Sequence, residues 1–244
     1  MTLSGLGMLL IALGGLMLVV IGIAHVGLRA CRADWGSRWC NCLDGLVRIF
    51  CRRFHGLHGD AIALPEHGGA LLVANHVSGL DPLLLVAATR RPLRFMIAVE
   101  EYERFGLNWL FRAIGCIPVD RSGRPEQSFR AAVRALKTGE VVALFPHGKI
   151  HLDSEPHHSI KPGVQKLALL ANVPIYPARL TGIAGAGRVI GAVYRRSRAA
   201  VTAYTPYQPE ATRDPQFRDR LGALLLGREP VSTVDTQGES ASHP

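Results

Sequence analysis

The longest apolar run in the chain extends from Leu3 to Leu28 and contains no charged residue. Even the shorter stretch from Leu3 to Ala24 would rise about 33 Å as a helix, and the hydrocarbon core of a bilayer is roughly 30 Å thick. A cleaved secretory signal has a shorter apolar run, a basic segment before it and a small-residue cleavage site. The pattern therefore predicts an uncleaved transmembrane helix in residues 1–28.

Residues 29–60 show the periodicity of an amphipathic helix. Apolar side chains recur every three or four positions and would share one face of the helix, formed by Trp35, Trp39, Leu43, Leu46, Phe50 and Phe54. Polar side chains would occupy the other side, formed by Arg38, Asn41, Asp44, Arg48 and Arg52. Indole and guanidinium groups favour the headgroup region, so the pattern predicts an interfacial helix. The alternative is an ordinary helix whose apolar face packs on the rest of the protein.

Beyond residue 60, short apolar runs alternate with segments of helical periodicity. The runs predict buried strands at 70–74, 95–99, 116–119, 141–145, 174–180, 189–193 and 199–204. Helices are predicted at 82–89, 108–114, 126–137, 161–170 and 216–225, with Asp81 as the N-cap of the first. This alternation indicates an α/β domain over residues 61–226, in which helices cover a largely buried sheet. Residues 227–244 are rich in Gly, Ser, Thr and Pro and are predicted to be a disordered tail.

Charge and cysteine content narrow the choice of partner and compartment. The chain has 28 Lys and Arg against 19 Asp and Glu, a formal charge of +9, which favours an anionic partner. Basic residues do not interleave with aromatic ones as a base-stacking surface requires, so a phospholipid membrane is favoured over nucleic acid. The five cysteines are an odd number without disulfide-framework spacing, which predicts reduced thiols. Arg29, Arg32 and Arg38 follow the apolar run, so the domain is predicted to face the cytoplasm.

One candidate catalytic motif, Asn75-His76-Val77-Ser78-Gly79-Leu80-Asp81, lies between a predicted strand and a predicted helix. On a regular helix His76 and Asp81 would point about 140° apart, so the loop must bring them together. An imidazole is a suitable general base near neutral pH, and a carboxylate on its other nitrogen fixes the tautomer. The alternative is a loop histidine beside an aspartate that only caps the next helix.

Two further motifs carry cations at strand ends. Gly115 to Arg121 (GCIPVDR) places Arg121 just after a strand. Phe145-Pro146-His147-Gly148-Lys149 leaves another strand in a tight turn, whose backbone N–H groups and ammonium can hold phosphate. A fourth segment, residues 173–178 (VPIYPA), has no obvious chemistry of its own.

Taken in this order, the motifs resemble those of the glycerolipid acyltransferases, in particular the lysophosphatidic acid acyltransferases (1-acylglycerol-3-phosphate O-acyltransferases). The matching blocks are N-H-x4-D at 75–81, G-x-I-x-V-D-R at 115–121, F-P-E-G at 145–148, K-x-G at 161–163 and V-P-I-x-P at 173–177. The resemblance covers about residues 65 to 205. It implies a membrane-bound α/β fold with a mixed sheet flanked by helices, preceded by the transmembrane and interfacial helices.

The resemblance also implies a reaction. His76, oriented by Asp81, would take the proton from a hydroxyl of a lysophospholipid, which then attacks the thioester of acyl-CoA or acyl carrier protein; neither cofactor nor metal is implied. The simplest acceptor is 1-acylglycerol-3-phosphate, which gives phosphatidic acid. The residues implied to bind the acceptor are Arg121, Phe145, Pro146, His147, Gly148, Lys149 and Lys161.

Departures from the family pattern keep alternatives open. His147, Lys149 and Ile150 stand where the family usually has Glu, Thr and Arg, which leaves the acceptor headgroup undecided and allows a catalytically silent lipid-binding homologue. Ser78, two residues after His76, allows a serine esterase, although no G-x-S-x-G elbow is present. A metal site is a further alternative and would use His147, His151, His157 and His158.

Overall fold

A seven-stranded sheet forms the centre of the protein in a computed structural model that describes residues 3–104, 106–120, 123, 125–152 and 160–228. Its strands are β1 (His58–Gly59), β2 (Ala70–Ala74), β3 (Leu93–Ala98), β4 (Ile117–Val119), β5 (Val141–Leu144), β6 (Ile175–Thr181) and β7 (Ala200–Ala203). They lie side by side in the order β1-β7-β6-β2-β5-β3-β4. β6 and β7 pair antiparallel and the other neighbours pair parallel, so the sheet is mixed, as expected.

Helices precede and cover this sheet. In the described part of the chain they are α1 (Leu3–Ala30), α2 (Arg38–Arg53), α3 (Asp81–Ala88), α4 (Val99–Tyr102), α5 (Asn108–Ala113), α6 (Pro125–Lys137), α7 (Gly163–Ala171), α8 (Ile190–Val193) and α9 (Phe217–Leu225). A 3₁₀ turn, Pro209–Arg213, comes before α9. The α/β prediction is confirmed, although β1, α4 and the 3₁₀ turn have no counterpart in the sequence pattern.

The core lies on both faces of the sheet because side chains alternate along each strand. On β2, Leu72 and Ala74 belong to an apolar cluster that includes Leu84 of α3. Leu71 and Val73 belong to the opposite cluster, which includes residues of α6, α7 and α9. All five residues of β2 are buried, which explains why its sequence is continuously apolar rather than alternating.

The apolar N-terminal segment is one continuous helix. Residues Gly7–Ala30 are long and apolar enough to cross a membrane by length and composition, and residues 7–23 of this stretch are exposed. α1 packs against α2 near its C-terminal end, where two glycines meet. A Cβ on Gly45 would lie only 1.7 Å from the carbonyl oxygen of Gly27, so the two helix backbones are in direct contact.

The amphipathic assignment of α2 needs correction on its polar side. Asp44 and Arg48 lie on the predicted polar side, but this side is not solvated at their positions: both are buried and form an ion pair, with Arg48 Nε 2.6 Å from Asp44 Oδ2. Arg48 Nη1 also donates to the carbonyl oxygen of Ala87, so this side of α2 lies on α3. On the predicted apolar face, Trp35 precedes the helix, and Trp39 remains exposed and contacts Trp109.

Three local predictions differ from the structure. Residues 189–193 do not form a strand; they carry the short helix α8 in the loop between β6 and β7. Asp81 is not the N-cap of α3 but its first residue, because its carboxylate is engaged in the preceding loop. α7 begins at Gly163 rather than Lys161. The predicted disordered tail lies outside the described residues from position 229 onward.

Candidate functional site

The candidate residues gather at one edge of the sheet because β2, β3, β4, β5 and β6 all run in the same direction. The chain leaves β2 into the loop of His76 and leaves β5 into the loop of Gly148. It leaves β6 into a long connection to β7. Carboxyl ends of parallel strands are the usual place for ligand sites in α/β proteins. The fourth motif, 173–177, enters β6 at the opposite edge and is therefore structural in this fold.

His76 and Asp81 are in direct contact. The Nδ1 atom of His76 lies 2.7 Å from Asp81 Oδ2, and Asp81 is fully buried whereas the His76 side chain is 21% exposed. A carboxylate only accepts hydrogen bonds, so His76 Nδ1 carries the donated proton and Nε2 carries the lone pair in the neutral ring. The loop thus produces the arrangement of a general base and its orienting carboxylate.

The buried Asp81 carboxylate also fixes the loop backbone. Its Oδ2 accepts from the backbone N–H groups of Val77 at 2.6 Å and Ser78 at 2.9 Å, and its Oδ1 accepts from Ser78 Oγ at 2.7 Å. Four donors therefore compensate for the burial of one charge. The loop therefore folds around the Asp81 side chain at its C-terminal end. This fold brings His76 and Asp81 together although they are five residues apart, whereas a regular helix would separate them.

Neighbouring strands position the imidazole. Phe145, at the end of β5, stacks on His76 with ring centroids 4.1 Å apart and an interplanar angle of 14°. Asn75 ties the end of β2 to β6, since its Nδ2 donates to the carbonyl oxygen of Leu180 and its Oδ1 accepts from the Leu180 N–H. His151 donates its backbone N–H to the carbonyl oxygen of His76 at 2.7 Å. His76, which follows β2, is thus positioned by contacts with both neighbouring strands, β5 and β6.

The turn after β5 carries the third motif. Gly148 has a φ of +73°, a conformation that favours glycine, and its N–H donates to the Phe145 carbonyl oxygen. The ammonium of Lys161 lies 2.9 Å from the position that a Cβ on Gly148 would occupy, and both Lys149 and Lys161 are exposed. A glycine turn is therefore bordered by two cations, as an anion site requires.

The other predicted binding residues that the structure describes are not exposed beside the glycine turn as the two lysines are. Pro146 and His147 are buried, and the His147 ring stacks on that of His151 with centroids 4.8 Å apart. Arg121 lies outside the described residues. Its neighbour Asp120 follows β4 and accepts from the Gly123 N–H at 2.7 Å.

Two site contacts had no signal in the sequence motifs. The His151 N–H to His76 bond uses only the backbone, and His151 follows the recognisable block. Gly79 donates its N–H to the carbonyl oxygen of Arg188, and Gly187 donates to that of Val77, so the β6–β7 loop lies on the His76 loop. A Cβ on Gly79 would lie 2.3 Å from the Val189 carbonyl oxygen, which explains a glycine here.

The alternative sites gain no support from this geometry. Ser78 is fully buried and its Oγ donates to Asp81 rather than to His76, so it is not arranged as a nucleophile. Within the described residues, no group of three or more His, Cys, Asp or Glu side chains could hold a metal ion. His157 and His158 fall outside those residues. All five cysteines are free thiols in the structure.

Fold and site together define an α/β protein with a His–Asp pair and a basic glycine turn at the carboxyl edge of its sheet. Residues 58–181 match the model of the family described as Acyltransferase. This match spans half of the chain, and the chain belongs to the Acyltransferase family. The resemblance inferred from the four motifs is thereby confirmed for the family.

Individual relatives carry more specific names. The chain is 35% identical over 127 residues to a probable 1-acyl-sn-glycerol-3-phosphate acyltransferase of Mycoplasma genitalium, in an alignment covering 47% of this chain and 45% of that protein. It is 26% identical over 120 residues to the 1-acyl-sn-glycerol-3-phosphate acyltransferase of Bacillus subtilis, covering 49% and 59%. The chain thus spans about half the length of the curated relatives it matches.

A solved structure shares the fold over a larger part of the chain. It is the 1-acyl-sn-glycerophosphate acyltransferase PlsC of Thermotoga maritima, with a TM-score of 0.61 and 18% sequence identity. The superposition covers 79% of this chain and 81% of that one. It therefore extends well beyond the segment matched by sequence.

Proposed function

We propose that this protein transfers a fatty acyl group from acyl-CoA or acyl carrier protein to the free hydroxyl of a lysophospholipid. The simplest acceptor is 1-acylglycerol-3-phosphate, and the product is then phosphatidic acid. The observation that carries the proposal is the 2.7 Å contact between His76 Nδ1 and buried Asp81, which leaves Nε2 available at a partly exposed edge. Relatives named as acyltransferases of this acceptor support it.

The proposed reaction needs only proton movement by the enzyme. His76 Nε2 takes the proton from the acceptor hydroxyl as its oxygen attacks the thioester carbonyl carbon. Asp81 holds the imidazolium that forms and keeps the ring in one orientation. Collapse of the tetrahedral intermediate breaks the carbon–sulfur bond, and the proton on Nε2 passes to the departing thiolate. The products are the new ester and a free thiol, and no cofactor or metal takes part.

The acceptor phosphate is proposed to lie on the turn after β5. Gly148 leaves room beside Lys161, and the exposed Lys149 adds a second cation. Lysine binds phosphate as a point charge, whereas the arginine usual in the family offers a bidentate fork. Arg121 and the half-buried ring of Phe145 complete the proposed contacts, whereas the His147 ring, which is buried against His151, supports the turn and does not contact the acceptor. The replacement of Glu by His147 is the observation that favours a different lysolipid as the alternative acceptor.

We further propose that α1 anchors the protein in a phospholipid membrane with the domain in the cytoplasm. The exposed apolar surface of Gly7–Ala30 and the arginines that follow it support this arrangement. An impermeant maleimide applied to intact cells should fail to label a cysteine introduced at exposed Glu66, and should label it after the cells are opened. Labelling in intact cells would contradict the proposed orientation.

The reaction is tested on membranes that carry the full-length protein. Membranes with wild type, His76→Ala or His67→Ala are incubated with labelled oleoyl-CoA and lysophosphatidic acid, and the background of the parent membranes is subtracted. His67 is exposed and precedes β2, whereas His76 follows the other end of that strand, so His67 is the matched control. We expect phosphatidic acid from wild type and His67→Ala, and a loss of about a hundredfold or more for His76→Ala.

Parallel reactions with neutral and zwitterionic lysolipids and with acyl carrier protein as donor separate the alternatives. Transfer only to another lysolipid, still dependent on His76, would replace phosphatidic acid as the product. Lipid binding without transfer across the whole panel would indicate a silent homologue. Near-normal activity of His76→Ala would remove the proposed mechanism.

A further inference from the structure

The loop between β6 and β7, residues 182–199, has a composition unlike the rest of the domain. It contains four arginines and no Asp or Glu. Its other residues are glycines, aliphatic residues, one serine and one tyrosine. A segment that combines cations with apolar side chains is suited to a surface that is anionic outside and apolar beneath, as a phospholipid bilayer is.

The apolar side chains of this loop are presented to the outside. Val189 is 45% exposed, Ile190 59% and Tyr194 77%, although all three are large and apolar or amphipathic. Arg188, Arg195 and Arg196 are exposed beside them. Scattered exposed apolar residues are ordinary, but three within six positions, flanked by cations, form a patch of the kind found at interaction surfaces.

The loop is held rigidly rather than left loose. Its two ends close on each other, since Arg198 donates its N–H to the Gly182 carbonyl oxygen at 3.1 Å. Inside the loop, Ser197 Oγ accepts from the Ala184 N–H at 3.0 Å. The exposed apolar side chains are therefore fixed by the fold and do not result from missing internal contacts.

The same loop is joined to the proposed membrane anchor. The buried ring of His55, just beyond α2, lies with Nε2 3.2 Å from the Val193 carbonyl oxygen and Nδ1 3.3 Å from Ser197 Oγ. α2 in turn contacts α1 through Gly45 and Gly27. A continuous set of packed elements thus runs from the apolar helix to the β6–β7 loop.

A cleft at the base of the loop adds a polar component. It has a volume of about 610 Å³ and is lined by Gly56, Gly182, Ile183, Ala184, Arg196, Ser197 and Arg198. Arg196, Arg198 and Ser197 can donate hydrogen bonds to a lipid phosphate in this cleft. The acyl chains of the same lipid would then lie beside the apolar side chains of the loop.

We propose that the β6–β7 loop is a second membrane-docking surface, which places the mouth of the active site on an anionic bilayer. In this arrangement Val189, Ile190 and Tyr194 enter the interfacial region, and the arginines contact lipid phosphates. The loop bears directly on the catalytic loop through Gly79 and Arg188, so docking brings the His76 edge of the sheet to the lipid surface. This inference rests on the proposed role of α1 as a membrane anchor.

Hydrogen–deuterium exchange of the full-length protein tests the docking without any substitution. The protein is compared in nanodiscs of phosphatidylcholine with phosphatidylglycerol, in nanodiscs of phosphatidylcholine alone and in detergent. We expect slowed exchange in residues 186–196 in anionic nanodiscs, less slowing in neutral ones and least in detergent. Equal exchange of this segment in all three would overturn the proposal.

Variants then assign the contact to the loop. Arg195→Gln with Arg196→Gln should reduce the protection in anionic nanodiscs by about thirtyfold, since the two arginines near such a surface together contribute about 2 kcal/mol. Ile190→Asp with Tyr194→Asp should abolish it. The matched control is Leu170→Asp, because Leu170 on α7 is 58% exposed and α7 packs on the opposite face of the sheet. A control that loses the protection as fully as the loop variants would overturn the assignment.

Activity measurements separate this proposal from the proposed function. The loop variants should retain turnover of a short-chain, water-soluble lysolipid in detergent and lose it severalfold on acceptor presented in anionic vesicles. If acyl transfer is absent from wild type but the exchange protection is present, the proposed function fails and the docking surface stands. If transfer is normal and protection is absent, the docking surface fails alone.

Discussion

At the scale of single residues, the Asp81 carboxylate contacts both the His76 imidazole and the backbone of its own loop. Its Oδ2 holds His76 Nδ1 and two backbone N–H groups, and its Oδ1 holds Ser78 Oγ. The carboxylate therefore shapes the loop and orients the base at the same time. A change at this position affects the geometry of the loop and the chemistry of the imidazole together.

Asp81→Asn should lower kcat by about a thousandfold or more. The NH2 group of the asparagine side chain would face groups that are themselves hydrogen-bond donors. The neutral amide also no longer fixes the proton on His76 Nδ1. The matched variant is Ser78→Ala, which removes one hydrogen bond to Asp81 and leaves the His76 contact in place. Ser78→Ala should lose about 1–3 kcal/mol of stability and keep acyl transfer.

Initial rates and thermal unfolding in detergent provide both measurements. Loss of transfer in Ser78→Ala at normal stability would point back to a serine nucleophile, and full activity of Asp81→Asn would show that the carboxylate is not needed.

The spacing of the motif allowed a contact of His76 with Asp81 but left open an aspartate that only caps the next helix; the family resemblance implied the pair, and the structure shows the contact. The sequence did not reveal the two backbone donors to Asp81, nor the His151 N–H on His76. Nearly every residue has the same backbone N–H group, so a sequence motif does not show which of these groups will donate. Their contacts are known only from the folded loop.

At the scale of elements, α1 and α2 are in direct backbone contact at their junction. Gly45 leaves no room for a side chain over the Gly27 carbonyl, and a Cβ on Gly27 would lie 2.7 Å from the Cys42 carbonyl oxygen and Sγ. Small residues at such crossings let backbones approach and pack closely. The orientation of α1 relative to the domain therefore depends on two glycines.

Gly45→Ala should lower stability in detergent by about 1–3 kcal/mol because the helices must separate. Gly22→Ala is the matched control: the position lies in the same apolar helix α1, and nothing lies within 4 Å of its added Cβ. The control should not be destabilised, since alanine favours helix over glycine. A thermal shift of equal size in both variants would show that the crossing is not the cause.

Helices and strands were predicted correctly where the apolar residues of the sequence pattern are also the residues buried in the fold. The apolar run of β2 was correct because both faces of this strand are covered. Asp44 and Arg48 were placed wrongly because periodicity treats a charge as exposed, whereas here the pair neutralises itself in the interior. Burial disfavours the charge on Asp44, but hydrogen bonds from Arg48, the Arg32 N–H and Trp35 lower the pKa of its carboxyl. Residues 189–193 were mistaken for a strand because a run with four apolar residues also suits a short helix, here with Val189 and Ile190 exposed.

At the scale of the whole molecule, buried titratable groups set the pH range in which the fold is most stable. Burial lowers the pKa of His55, although its hydrogen bond to the Val193 carbonyl opposes the shift. Burial also raises the pKa of the Cys51 and Cys116 thiols to about 12. The unfolded chain binds a proton at His55 more readily than the folded one, and loses a thiol proton more readily.

Stability should therefore fall as the pH drops below about 6.5, the ordinary pKa of histidine, and again as it rises above about 8.5, that of cysteine. His55→Gln, which keeps a donor for the Val193 carbonyl, should flatten the acid side and leave the alkaline side unchanged. Thermal midpoints in detergent at a series of pH values measure this. An unchanged acid slope in His55→Gln would assign the slope to other groups.

The overall organisation was only partly accessible from the sequence. Alternating patterns predicted an α/β domain after an apolar helix, and the mixed sheet agrees with the family resemblance. The strand order and the packing of the β6–β7 loop on the His76 loop depend on contacts between distant segments, such as Asn75 with Leu180. No periodicity in a single sequence records such pairings.

Phe145 covers one face of the His76 imidazole and Asp81 holds its Nδ1, so the ring has no freedom to turn over during a catalytic cycle. In the proposed reaction, a proton taken up at Nε2 must then be released from the same point in space. Because the acceptor hydroxyl attacks the thioester directly and no acyl-enzyme forms, hydroxyl and thioester have to be bound there together, and neither product leaves before both substrates have bound. Steady-state kinetics of this kind are sequential, with double-reciprocal plots that intersect rather than run parallel.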